Sequence, residues 1–107
     1  MTSTPDGTAQ PLGGLPPRTL GQIQAVWRQF PQIRWLKLYG SRALGRHRPG
    51  SDIDLAFSSE HDCSAALAAA FDQLPTPYLV DVTHWESLRH EGLRDHIAQL
   101  GVELQRG

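Results

Sequence analysis

Residues 40–57 read GSRALGRHRPGSDIDLAF, and this stretch decides the fold and indicates the chemistry. A Gly-Ser turn and a basic loop lead to two aspartates, Asp52 and Asp54, on either side of Ile53. Alternate residues of a strand share one face of a sheet, so the two carboxylates lie together. At about 5 Å and an effective dielectric of about 20 they repel by roughly 3 kcal/mol. Mg²⁺ reverses such repulsion and binds one or two carboxylates plus phosphate oxygens. We therefore predict a metal-dependent site that handles phosphate.

Composition narrows the class of protein. The 107 residues fit one small domain, and 10 basic against 11 acidic residues give a net charge of −1. This balance creates no global field that attracts nucleic acid or an anionic membrane, and only the loop 42–48 forms a local basic patch. The lone Cys63 favours a reducing compartment. No apolar run reaches the ~18–20 residues of a membrane span, and residues 1–17 lack the features of a secretory signal. We predict a soluble, cytoplasmic protein.

The hydrophobic pattern predicts an α/β (α+β) domain over residues 18–107, preceded by a flexible tail over residues 1–17 that is rich in Thr, Pro and Gly. A first helix is expected from Leu20, with Thr19 as its N-cap and Pro31 as its end. We expect a short mixed sheet with the helices packed on one face and the carboxylates on the other. The remaining predicted elements are strands over 33–39, 52–57 and 78–83, a helix over 65–74, one or two helices after residue 86, and a short strand over 102–104.

Asp81 lies between two valines of the third predicted strand. If that strand lies beside the second, Asp52, Asp54 and Asp81 converge, and three carboxylates can hold two divalent ions for an in-line displacement. Asp81 would also prepare the incoming hydroxyl. The alternative for Asp81 is a solvent-facing acid on an edge strand.

The turn and the loop are expected to bind the nucleotide. Glycine lets backbone N–H groups approach a phosphate, and the Ser41 hydroxyl can donate another hydrogen bond. Arginines of the loop could neutralise a leaving pyrophosphate, although arginine is also ordinary on an exposed loop. The five histidines show no metal-ligand spacing and are expected on the surface or at helix ends. The predicted nucleotide-binding residues are Gly40, Ser41, Arg42, Arg46 and Ser51, with Arg48 as a further loop candidate.

At these residues the chain resembles the nucleotidyltransferase superfamily of DNA polymerase beta type, whose pattern is Gly-Ser, about ten loop residues, then Asp-x-Asp and a later acidic residue. It is similar above all to the minimal nucleotidyltransferase (MNT) branch, which typically reads GSRARG and then SDIDL. The segments VDVTHWESL and LRDHIAQLGVEL resemble later parts of that branch, so the resemblance spans residues 20–104. Leu44 departs from it, because many members carry a basic or polar residue there.

The resemblance implies a nucleotidyltransferase fold and Mg²⁺-dependent transfer of AMP from ATP to a hydroxyl. It assigns the metal ligands to Asp52, Asp54 and Asp81. Minimal members commonly act as antitoxins beside a HEPN-domain ribonuclease toxin, and some attach AMP to a toxin tyrosine. We therefore expect a hetero-oligomer with a HEPN toxin as the acceptor, since the chain is short for an additional substrate domain.

Two other functions remain open. The protein could neutralise its partner by stoichiometric masking, with a site that is idle or only binds nucleotide. Transfer to a small molecule such as an aminoglycoside has less support, because no acceptor pocket is evident in the sequence.

Overall fold

The computed structural model describes residues 14–48 and 50–106. Its helices are α1 (Pro17–Arg28), α2 (Ser64–Asp72) and α3 (Glu91–Leu100), and a 3₁₀ turn covers Trp85–Ser87. Its strands are β1 (Trp35–Tyr39), β2 (Ile53–Ser58), β3 (Val80–His84) and β4 (Val102–Glu103). Every predicted element is present. Most boundaries differ by one or two residues, and α1 differs more.

The first helix begins earlier than the sequence pattern suggested. Pro17 is its first residue, a position that tolerates proline because the missing N–H would have no helical partner. Thr19 is therefore not the N-cap but a buried residue of the first turn. Leu15 is also buried in the core. The predicted tail over residues 1–17 is thus too long at its C-terminal end, and its first thirteen residues lie outside the described part of the chain.

The four strands form one mixed sheet in the order β3-β2-β1-β4. β1 is antiparallel to both β2 and β4, whereas β2 and β3 are parallel and are connected through α2. A parallel pair needs such a crossover, and an alanine-rich helix supplies it. The predicted α+β class and the mixed sheet are confirmed.

The helices lie on both faces of the sheet. Alternate residues of β1 and β2, such as Leu36 and Leu55, are fully buried in the main core with residues of α1 and α2. The opposite face carries a smaller cluster in which Ile97 of α3 packs with Tyr39 and Ala56. The expectation that all helices share one face is therefore wrong for α3. Its apolar stripe predicted a packed helix, but a stripe does not specify which face of a sheet it covers.

Candidate nucleotide and metal site

The carboxylates of Asp54 and Asp81 lie on adjacent strands. Asp54 of β2 pairs directly with Asp81 of β3 in the parallel ladder, so their Cα atoms are about 5 Å apart. Both residues share the face of α3, because their neighbours Ile53 and Val80 belong to the main core on the other side. Asp52 immediately precedes β2 and is exposed, as is Asp81. We call this group, Asp52, Asp54 and Asp81, the carboxylate end of the sheet.

The charges at the carboxylate end act on each other. Burial raises the pKa of Asp54, and the negative charges of Asp81 and then Asp52 raise it further. Burial is also the main reason why the pKa of the Tyr39 hydroxyl is raised, with smaller contributions from Asp54 and Asp81. That hydroxyl is 3.0 Å from the Thr83 hydroxyl. The carboxylate end therefore concentrates negative charge at a free-energy cost.

The donor set suits a hard cation such as Mg²⁺, which takes oxygen ligands. Within residues 14–48 and 50–106, however, no three His, Cys, Asp or Glu side chains stand close enough to hold a metal ion by themselves. Mg²⁺ commonly needs only one or two carboxylates and completes its shell with water and substrate phosphate. Asp54 and Asp81 are thus suitable ligands that leave coordination positions for a substrate.

Gly40 directly follows β1 in a conformation that only glycine adopts easily, with φ +78°. A Cβ atom at this position would lie 2.5 Å from Oδ2 of Asp54. The Gly-Ser turn therefore touches the carboxylate end directly, as the sequence pattern required. Its backbone closes on itself, because the Leu44 N–H donates to the Gly40 carbonyl at 3.2 Å and the Arg46 N–H to the Ser41 carbonyl at 2.8 Å.

The predicted loop residues divide into two groups. Arg42 is 97% buried, since its exposed fraction is 3%. Its Nη2 donates to the Ser51 carbonyl at 2.9 Å, and its guanidinium stacks over the Tyr78 ring. The Ser51 hydroxyl accepts from the Arg48 N–H at 2.8 Å. Arg42 and Ser51 therefore hold the loop in place ahead of Asp52, and their contact with a phosphate remains a prediction. Arg46 and Arg48 are exposed.

Two histidines have roles that the sequence did not reveal. His96 of α3 accepts a hydrogen bond from the Gly40 N–H at 2.9 Å. His84 is buried at the end of β3, where Nε2 is 2.8 Å from the Ser59 carbonyl. His84 is buried and His96 is half-buried within α3, whereas both were expected on the surface or at helix ends. The contact to Gly40 joins residues 56 positions apart, and no local pattern signals it.

The opposite end of β2 stabilises a carboxylate instead of concentrating several. Glu86 accepts a hydrogen bond from the Ser58 hydroxyl, one from the Ser59 N–H at 3.2 Å, and one from Arg34 Nη2 at 3.1 Å. Burial alone would raise the pKa of Glu86, but these hydrogen bonds together lower it. We call this group, Arg34, Ser58, Ser59, His84 and Glu86, the serine end of the sheet.

Two cavities among the described residues lie away from the predicted site. A cavity of about 350 Å³ lies near the serine end and is lined by Gln32, Arg34, Glu60, His61 and Cys63. A second of about 390 Å³ lies beside the C-terminal segment. None of the predicted site residues lines either one, and both Asp52 and Asp81 are exposed. At the carboxylate end, the side chains of Asp52 and Asp81 are therefore accessible from solvent, whereas Asp54 is half-buried.

The mixed sheet with its crossover helix is a nucleotidyltransferase fold. The sequence model of the family "Polymerase beta, Nucleotidyltransferase" matches residues 21–106, which is most of the chain. The protein therefore belongs to the polymerase beta nucleotidyltransferase family. No curated protein matches the sequence.

Solved structures with a similar fold include toxin–antitoxin complexes. One, a toxin–antitoxin with AMP-PNP, is 24% identical with a TM-score of 0.60, over 80% of this chain and 72% of that chain. A mutant of the toxin–antitoxin MntA–HpeT is 23% identical with a TM-score of 0.64, over 79% of this chain and 70% of that chain. A third is the tri-AMPylated Shewanella oneidensis HEPN toxin in complex with MNT antitoxin. It is 22% identical with a TM-score of 0.54, over 80% of this chain and 68% of that chain. At these identities the likeness establishes the fold.

Proposed function

We propose that this protein transfers AMP from ATP to a hydroxyl of a HEPN-type toxin, a tyrosine hydroxyl, and thereby acts as its antitoxin. The observation that carries the proposal is the register pairing of Asp54 with Asp81 beside the glycine turn. Family membership supports nucleotidyl transfer. The similar structures support the nucleotide and the partner, because one contains AMP-PNP and another a tri-AMPylated HEPN toxin with an MNT antitoxin.

The residues of the carboxylate end would hold Mg²⁺, with two ions as the number that three carboxylates suggest. When bound, Mg²⁺ neutralises triphosphate charge and lowers the pKa of an oxygen that coordinates it. Gly40 would let the turn approach the phosphates and Ser41 would donate to them, with Arg46 and Arg48 near the leaving pyrophosphate. The exposure of Asp81 supports a protein acceptor.

None of the helices in the described part of the chain has the length and hydrophobicity of a membrane span. We place the reaction in the cytoplasm.

The proposed reaction is a single displacement. The acceptor hydroxyl oxygen forms a bond to the α-phosphorus of ATP as the bond from that phosphorus to the bridging oxygen of pyrophosphate breaks. The hydroxyl proton passes to Asp81, and pyrophosphate leaves with the electron pair of the broken bond. Asp81 fits this role because it is exposed, whereas Asp54 beside it is half-buried.

The test uses purified protein, ATP labelled at the α-phosphate, Mg²⁺, and a purified HEPN-type toxin as the acceptor. We expect label on the toxin and a loss of about 10²-fold or more for Asp52→Asn and for Asp54→Asn, the usual scale for removing one electrostatic group from a catalytic centre. Glu86→Gln, at the serine end, is the matched control and should retain transfer.

The same samples are assayed for toxin ribonuclease activity, which separates catalysis from masking. Inhibition that needs ATP and is lost with Asp54→Asn supports the proposal. Inhibition by the Asp54→Asn protein equal to that by wild type would show that masking alone neutralises the toxin, and would refute the catalytic role.

A further inference from the structure

The contact between α3 and the glycine turn assigns a role to His96. Gly40 begins the turn proposed for the nucleotide phosphates, and its N–H donates to Nε2 of His96 at 2.9 Å. We infer that His96 is a positioning residue, which fixes this turn and, through the turn, the carboxylate of Asp54. The inference rests on the nucleotide site proposed above.

The chemistry of the donor determines the state of the imidazole. A backbone amide can only donate, so Nε2 of His96 must be the unprotonated, accepting nitrogen, and the proton lies on Nδ1. The ring is held in place by its surroundings. It packs edge-on against Tyr39, with ring centroids 6.1 Å apart at 76°, and the adjacent Ile97 is fully buried against the sheet. His96 thus presents a fixed acceptor to the turn.

A shift of the turn would reach Asp54. There is space beside Oδ2 of Asp54 for a glycine but not for a Cβ atom, so the Gly40 backbone packs closely against that carboxylate. Both polar groups of Gly40 are in use, the N–H toward His96 and the carbonyl toward Leu44. Small displacements matter in such a site, because a misplacement of about 1 Å can cost about 10²-fold in rate.

The hydrogen bond to His96 also limits which residues of the turn can donate to a phosphate. Because the Gly40 N–H is directed at His96, the phosphate-binding donors must come from later positions, beginning with Ser41. His96 would therefore act on nucleotide affinity without touching the nucleotide. His96 is therefore a positioning residue and not a catalytic one. Its effect on nucleotide affinity depends on the accepting nitrogen Nε2, not on the presence of an aromatic ring.

Two substitutions isolate the acceptor. His96→Phe keeps an aromatic ring against Tyr39 but cannot accept a hydrogen bond, whereas the amide oxygen of His96→Gln can. The matched control is His90→Phe. His90 caps the same helix by accepting from the Leu93 N–H at 3.0 Å, so its loss weakens the start of α3 without touching the turn.

Calorimetry measures AMP-PNP binding to the full chain with Mg²⁺. We expect His96→Phe to bind about 3–10-fold more weakly, the range of one hydrogen bond. His96→Gln should stay within about 2-fold of wild type, and His90→Phe should be unchanged. Equal affinity for His96→Phe and wild type, or an equal loss in His96→Gln and His96→Phe, would overturn the inference while leaving the proposed function intact. Absence of binding by the wild-type protein would refute both.

Amide hydrogen exchange provides a readout that requires no nucleotide. In His96→Phe the Gly40 amide should exchange faster by a factor similar to the loss of affinity, because the hydrogen bond that protects it is gone. In His90→Phe it should exchange at the wild-type rate. An unchanged Gly40 rate in a folded His96→Phe protein would show that His96 does not restrain the turn, and the inference would fail.

Discussion

The surroundings at the two ends of β2 have opposite effects on the pKa of a carboxyl group. At the carboxylate end Asp54 faces Asp81 across the ladder, and burial with these like charges raises its pKa. At the serine end Glu86 receives hydrogen bonds from Ser58, Ser59 and Arg34, and its pKa is lowered. Hydrogen-bond donors thus stabilise the charged form of Glu86, whereas burial and like charges destabilise that of Asp54. A carboxylate whose charged form is disfavoured by burial and by neighbouring carboxylates is typical of a binding site.

The largest effect on stability is expected where the glycine turn meets the carboxylate end. Gly40→Ala places a methyl group against Oδ2 of Asp54 and forces a non-glycine residue to φ +78°. The positive φ costs about 1–2 kcal/mol and the overpacking a further 1–3. We expect the free energy of unfolding in urea to fall by about 2–5 kcal/mol.

Gly21→Ala is the matched control for that substitution. Gly21 is exposed on the surface of α1, and a Cβ atom there would have nothing within 4 Å. Because alanine favours a helix, the control should gain up to about 1 kcal/mol. Similar losses for the two variants would show that the approach of Gly40 to Asp54 is not the cause.

A smaller loss is expected at the serine end. Glu86→Gln keeps a hydrogen-bond acceptor for Ser58 but loses the charge that Arg34 and the Ser59 N–H recognise. The side chain is 35% exposed, so solvent screens these contacts, and we expect a cost of about 1 kcal/mol at neutral pH. Because the pKa of Glu86 is lowered, its contribution is present above the unfolded value of 4.5 and is lost as the pH falls through the folded value. Thermal unfolding across this range checks both statements, and a pH-independent difference would contradict them.

The smallest effect has the opposite sign. The pKa of Asp54 is raised, so its protonated form favours folding fully below the unfolded value of 3.8, and this benefit is lost as the pH rises through the folded value. Asp54→Asn should therefore raise stability at neutral pH by about 0.5–1 kcal/mol, a gain typical of relieving a strained functional site. The gain should shrink on acidification. A variant less stable than wild type at neutral pH, measured in the same urea titrations, would show that Asp54 contributes to the fold.

Local chemistry was predictable from sequence, and long-range contacts were not. The spacing of Asp52 and Asp54, and the glycine at residue 40, encode geometry within a few residues, and the structure brings Gly40 and Asp54 into contact. The position of Asp81 beside Asp54 depended on the pairing of two strands, which the pattern allowed but could not require.

The sequence did not reveal the surroundings of Arg42 and His96, and the two cases share one cause. An arginine in a basic loop is usually exposed, yet Arg42 is buried because the Ser51 carbonyl and the Tyr78 ring satisfy it. Histidines without ligand spacing suggest a surface, yet His96 reaches Gly40 once α3 folds onto the second face of the sheet. In each case the partner is supplied by tertiary structure rather than by the neighbouring sequence.

The most direct test of the central claim is calorimetric binding of Mg²⁺ with AMP-PNP to three proteins: wild type, Asp54→Asn and Glu86→Gln. Glu86→Gln should bind like wild type, because the serine end lies at the opposite end of β2 from the proposed site. Asp54→Asn should bind at least about 10-fold more weakly, the lower end of what losing a charged contact costs. Equal affinity of Asp54→Asn and Glu86→Gln for the magnesium nucleotide would contradict the claim that the uncompensated carboxylates form the site.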